Sequence, residues 1–152
     1  MYLYLVQHGK AMSKEEDPER PLSDEGRADV RKITSFLYRG VGLDVARIYE
    51  SGKLRATETA EIIGSSLNVS AAKEEGLSPL DNPGLWAGKL KDIKEDTMLV
   101  GHLPHLGKLA SLLLSGAPEV DIVSFSPGGV LCLKRDDTAW TVQWMVIPDI
   151  LR

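Results

Sequence analysis

Hydrophobic positions in this chain fall into three successive pairs, each a short apolar run followed by an amphipathic stretch. Tyr2 to Val6 is continuously apolar and β-rich, stops at Gln7-His8-Gly9, and reads as a strand buried on both faces. After a charged connection from Lys10 to Pro21, Ser23 is placed to cap a helix whose apolar positions Val30, Ile33 and Leu37 recur at helical spacing, with Gly40 as its expected stop. The pattern returns with Val45 to Tyr49 as a strand and Ala56, Ala60, Ile63 and Leu67 as a helical stripe ending near Asn68. It returns again with Thr97 to Val100 as a strand and Leu106, Leu109, Ala110 and Leu113 on a helix closed by Gly116. Residues 74 to 92 carry scattered glycines and prolines, which predicts a loop with one short helix at most.

The rhythm changes near the C-terminus. Ile122 to Phe125, Val130 to Lys134 and Thr141 to Val146 are short β-rich runs separated by Pro127-Gly128-Gly129 and by Asp136-Asp137, a pattern that predicts antiparallel hairpins at a sheet edge. Strand and helix in alternation imply a largely parallel sheet. The fold class expected is therefore α/β, a three-layer α/β/α sandwich with a mostly parallel sheet and antiparallel strands in its C-terminal part. At 152 residues and 43% hydrophobic content the chain suits one domain over 1–152.

Charge and cysteine content narrow the function. Twenty-two acidic residues against 18 basic ones give a net charge of -4, the wrong sign for a nucleic-acid or anionic-membrane binder. Cys132 is the single cysteine, no secretory signal pattern opens the chain, and no apolar run approaches the ~20 residues a bilayer requires. A reducing cytoplasm is the expected compartment, with no membrane and no nucleic acid among the partners.

In open α/β sheets, ligands bind beyond the carboxyl ends of the strands, beside helix N-termini. That rule selects His8 after the first strand, Ser51 and Arg55 after the second, and His102 after the third, with His105 a turn into the helix that follows. Two imidazoles and a guanidinium beside helix N-termini suit an anion with several oxygens, phosphate foremost, although histidine pairs also bind metals. Against a metal stand the absence of a cysteine pair, of H-E-x-x-H or of any close His/Asp set, and the charge of Arg55. Neither a G-x-S-x-G elbow nor a Walker-type phosphate loop occurs.

These residues fall into four segments in a characteristic order: Gln7-His8-Gly9, Arg20-Pro21-Leu22-Ser23, Ser51 through Ala60, and Gly101-His102. The set resembles the histidine phosphatase (phosphoglycerate mutase-like) superfamily, and within it the small bacterial phosphohistidine phosphatases of the SixA type. The resemblance implies a two-step, metal-independent phosphoryl transfer with no cofactor, in which His8 is the nucleophile and Arg20, Arg55 and His102 hold the phosphoryl oxygens. It also implies substrate-binding roles for Gly9, which lets the backbone turn tightly beside the phosphate, and for Ser51. Gln7 stands where the family usually has arginine, so one charged clamp is missing, and Lys10 is the candidate to supply a point charge instead.

Glu74, Glu75 and Asp81 lie where related mutases carry a general acid. A phosphohistidine substrate makes less demand on such an acid, because its leaving imidazole can depart already protonated. With only about twenty residues between the central repeats, little chain is available for a lid. The implied partner is a phosphorylated protein such as a histidine phosphotransfer domain; a phosphatase of small phosphate esters and a non-catalytic phosphate-binding module weakened by Gln7 are the alternatives.

Overall fold

The computed structural model describes residues 1–151. Its strands are β1 (Tyr2–Gln7), β2 (Arg47–Glu50), β3 (Ala71–Lys73), β4 (Thr97–Gly101), β5 (Val130–Asp136) and β6 (Ala139–Val146), joined in one sheet of order β3-β2-β4-β1-β5-β6. The first four run parallel, β5 is antiparallel to β1, and β6 is antiparallel to β5. Among them pack α1 (Asp24–Ser35), α2 (Leu54–Leu67), α3 (Pro83–Leu90) and α4 (His105–Ser115).

The continuous apolar runs have the cause expected of them. Tyr4 and Val6 of β1 join Met98 and Val100 of β4 on the face covered by α1 and α2, with Val30, Ile33, Ala60 and Ile63 as the helical contribution. Leu3, Leu5 and Leu99 point to the opposite face, where Trp86 and Leu90 of α3 and Leu106 and Leu109 of α4 cover them. Strands in the middle of three layers have no polar face. Cys132 belongs to the first cluster, and burial pushes its thiol up to about 11, so it is packing material and not a nucleophile.

Several boundaries follow the sequence. The Ser23 hydroxyl caps α1 by accepting from Gly26 N at 3.0 Å, and Asn68 and Gly116 end α2 and α4 in the left-handed conformation. The short helix in residues 74 to 92 is α3, capped by Asn82.

Four expectations are corrected. The first helix does not stop at Gly40: it winds into a π-helical stretch, Phe36–Val41, and terminates at Gly42, whose φ of 67° supplies the left-handed cap. β2 begins at Arg47, because Val45 is spent on the core beside α1 and not on strand pairing. Ile122 to Phe125 is not a strand. Val123 and Phe125 alternate onto the second core cluster, so the period of two is satisfied by packing while the backbone pairs with no neighbour. The Pro127-Gly128-Gly129 turn accordingly closes no hairpin: Gly128 N donates to the carbonyls of Gln7 and His8, at 3.0 and 3.1 Å, bracing the end of β1. The hairpin at Asp136-Asp137 does form, between β5 and β6.

Candidate active site

The carboxyl ends of β1, β2 and β4 deliver the site. His8 directly follows β1, and its backbone N–H donates to Gly101 O at 3.0 Å, which ties it to the end of β4. Its ring lies 5.0 Å, centroid to centroid, from that of His102. His8 Nδ1 is 2.6 Å from Gly9 O, and since a carbonyl only accepts, Nδ1 carries the proton and Nε2 keeps its lone pair. Burial, with Arg55 and Arg20 nearby, lowers the His8 pKa to about 4 despite the Gly9 bond that favours its charged form.

His102 is almost wholly buried, with Nε2 2.6 Å from the Ser51 hydroxyl. Burial first, then the charges of His8, Arg55 and Lys53, hold its pKa near 3. Both rings are therefore neutral at pH 7, and the positive charge around them comes from Arg20 and Arg55, with Lys53 close enough to act on His102. The Nδ1 of His102 and the Nε of Arg55 are buried without a protein partner. Unsatisfied buried polar groups are costly in a structural setting and expected where a ligand completes them.

Arg20 reaches the same place from the loop between β1 and α1. Its φ of 51° is unusual for a non-glycine residue and is held by Arg20 Nε donating to Met12 O at 3.0 Å. An open groove of about 540 Å³ runs from Arg20 and Arg55 past Lys53 to Asp81.

Of the residues singled out in the sequence, His8, His102, Arg55, Arg20 and Ser51 are thus brought together. Gly9 is adjacent for a reason other than the turn expected: a Cβ there would meet the Val30 methyl at 2.7 Å and Gly26 O at 3.1 Å, so α1 packs against a backbone with no room for a side chain. Gln7 is buried, with its Oε1 unpartnered. Lys10 is not part of the group. Its ammonium lies 2.6 Å from Glu25 on the exposed side of α1. Glu74 lies 3.9 Å from Lys89 and Glu75 is exposed, whereas Asp81 lines the groove and accepts from Ser78 N at 2.9 Å. His105, expected a turn into its helix, is the first residue of α4 and fully buried.

Two residues escaped the sequence reading although they stand in the Ser51 to Ala60 segment. Thr59 accepts from Gly9 N at 3.1 Å and donates to Arg55 O at 2.7 Å, linking the nucleophile's loop to α2. Glu58 takes Leu22 N at 2.9 Å with one oxygen and the Arg27 guanidinium with the other, so it anchors the loop that presents Arg20. Their position within that segment was the only signal. Glu58→Ala is expected to lower stability by about 2 kcal/mol, the scale of hydrogen bonds to a charged group, and to reduce kcat/KM several-fold as the Arg20 loop loosens. Glu58→Gln, which keeps an acceptor for Leu22, should do less on both counts in urea unfolding and steady-state assays.

Acid should act on the fold through the same two rings. Unfolded imidazole binds a proton below its ordinary 6.5 while folded His8 does not until about 4, so the unfolded chain holds more protons between those values. The stability contributed by the neutral ring is full above 6.5 and is lost as pH falls toward 4, on the order of 3 kcal/mol. The urea midpoint should drop from pH 7 to pH 4.5, and drop less in His8→Gln. An unchanged midpoint in the wild-type protein contradicts this.

The profile of the histidine phosphatase superfamily (branch 1) matches residues 3–102. The chain belongs to that superfamily. Phosphohistidine phosphatase SixA of Escherichia coli (strain K12) is 26% identical over 157 residues, a match covering 97% of this chain and 94% of the relative. Among solved structures, the protein histidine phosphatase SixA complexed with tungstate is similar at a TM-score of 0.87 and 27% identity, with 100% of both chains covered. The alpha-ribazole phosphatase from Shigella flexneri shares the superfamily fold at a TM-score of 0.78 and 13% identity, over 94% of this chain and 95% of that one. Among the described residues no group of three or more His, Cys, Asp or Glu side chains is placed to hold a metal ion, and no helix is long and apolar enough to cross a membrane.

Proposed function

We propose that this protein is a metal-independent phosphatase that removes phosphate from phosphohistidine on a protein, through a phosphorylated His8 intermediate. The observation that carries the reading is the His8 ring itself: neutral, held by Gly9 O at Nδ1 with Nε2 left its lone pair, and near enough to Arg55 and Arg20 to feel both charges. In the first step the Nε2 lone pair attacks phosphorus and the P–N bond to the substrate imidazole breaks, the leaving ring departing neutral if its other nitrogen is already protonated. The phosphorylated His8 ring is then cationic, and the Gly9 carbonyl accepts from its Nδ1–H. In the second step water attacks phosphorus, inorganic phosphate leaves, and Nε2 regains its lone pair.

Arg20 and Arg55, with a His102 nitrogen, would take the equatorial oxygens, where charge is concentrated in the transition state. The buried, unpartnered donor of Arg55 and unpartnered nitrogen of His102 support that assignment, as does tungstate, a tetrahedral oxyanion, in the relative at TM-score 0.87. His8 also speaks against a module that only binds phosphate, since binding alone needs no nucleophile. One observation favours a second reading: Asp81 lines the groove that also holds Arg20 and Arg55, and a carboxylic acid beside the phosphate is what protonation of an alkoxide leaving group, in hydrolysis of a small phosphate ester, needs.

Turnover of a phosphohistidine phosphotransfer protein and of p-nitrophenyl phosphate, each with and without chelator, separates these readings. The proposal expects higher kcat/KM on the phosphoprotein and no effect of chelator. A preference for the ester transfers the function to the second reading, and activity lost to chelator and restored by a divalent ion sinks the metal-independent mechanism.

A further inference from the structure

We propose that the groove beside the phosphate site is a docking surface for an acidic face of the substrate protein, with carboxylates and an apolar side chain flanking its phosphohistidine; this rests on the phosphohistidine reading above. The chain as a whole is acidic, at -4, yet the groove has the opposite sign, with Lys14, Arg20, Lys53 and Arg55 facing Glu19 and Asp81. Arg20 and Arg55 are assigned to the phosphoryl group. Lys14 and Lys53 are surplus to that task, and neither ammonium forms an ion pair or hydrogen bond among the described residues. Asp81 is already engaged by Ser78 N.

The apolar part of the groove points to a protein and not to a metabolite. Leu80 is 89% exposed and Leu54 37% exposed, both on its walls. A single exposed leucine is ordinary. Two of them interleaved with unpaired lysines, continuous with the phosphate site, have the make-up of a protein interface, in which apolar anchors give affinity and rim charges select the partner.

The test uses three substrates: free phosphohistidine, a phosphohistidine peptide flanked by aspartates and leucine, and the same peptide with lysines in place of the aspartates. The expected kcat/KM at low salt is about tenfold higher for the acidic peptide, the advantage shrinking in 1 M salt, where the Debye length is only about 3 Å. Lys14→Glu should narrow or invert the preference and Leu80→Ser should raise KM for both peptides, while neither variant changes turnover of free phosphohistidine. Equal turnover of the two peptides, or variants that depress free phosphohistidine as much as the peptides, overturns the docking surface alone. If no phosphohistidine substrate is hydrolysed while p-nitrophenyl phosphate is, the underlying reading fails and the surface with it.

Discussion

His8→Ala is expected to abolish hydrolysis of every substrate, because both steps of the mechanism pass through its Nε2. The magnitude distinguishes a nucleophile from a binding residue: loss of one transition-state donor costs on the order of 10² to 10³ in rate, whereas loss of the attacking atom removes the pathway. The fold should survive the change. The His8 ring makes one hydrogen bond, to the carbonyl of the next residue, and its only ring neighbour among the described residues is His102 of the same site, so circular dichroism and urea unfolding at pH 7 should stay close to wild type. The pH dependence carries the same signature, since kcat/KM should hold as pH falls from 7 toward 5, where a histidine of ordinary pKa 6.5 would be mostly protonated. An alanine variant with wild-type turnover removes His8 from the chemistry.

Arg55→Ala is expected to lower kcat/KM by about 10³ or more, at the upper end of the range for a lost oxyanion donor, because charge and fork geometry go together. Arg55→Lys restores the charge and not the second donor, so about a tenfold deficit should persist. Stability should move the other way. Arg55 lies in the field of Arg20 with its Nε unpartnered, and burial together with that like charge lowers its own pKa. Removing it relieves repulsion in the free protein, so Arg55→Ala should unfold at an equal or higher urea concentration than wild type while losing activity. A variant that loses activity and stability in proportion would mark Arg55 as structural.

What could be read from the sequence and what could not divides along physical lines. β1 and β4 were legible because burial on both faces leaves unbroken apolar runs, and the ends of those strands in an α/β sheet then pointed to His8 and His102. β3 was missed: Ala71-Ala72-Lys73 is a three-residue edge strand, partly exposed, without a hydrophobic signature, recruited by backbone pairing to β2. Ile122 to Phe125 misled for the converse reason, an alternating pattern met by side-chain packing without a ladder. At the site, residue types and spacing suggested the groups that carry charge or a lone pair. They could not show the braces. Glu58 reaches Leu22 and Thr59 reaches Gly9 across 36 and 50 positions of chain, and the partner of Lys10 is Glu25, 15 residues away. Such contacts depend on how α1, α2 and the β1 loop pack, which no local pattern encodes.

The central claim is a covalent phosphoryl group on His8, and rapid acid-free quenching of the wild-type enzyme during turnover of a ³²P-labelled phosphohistidine protein, followed by peptide mapping, tests it most directly. The account predicts label on the peptide containing His8, stable in alkali and lost in acid as a phosphoramidate is, and absent from His8→Ala. Label that resists acid, or that maps to a peptide without His8, would contradict it.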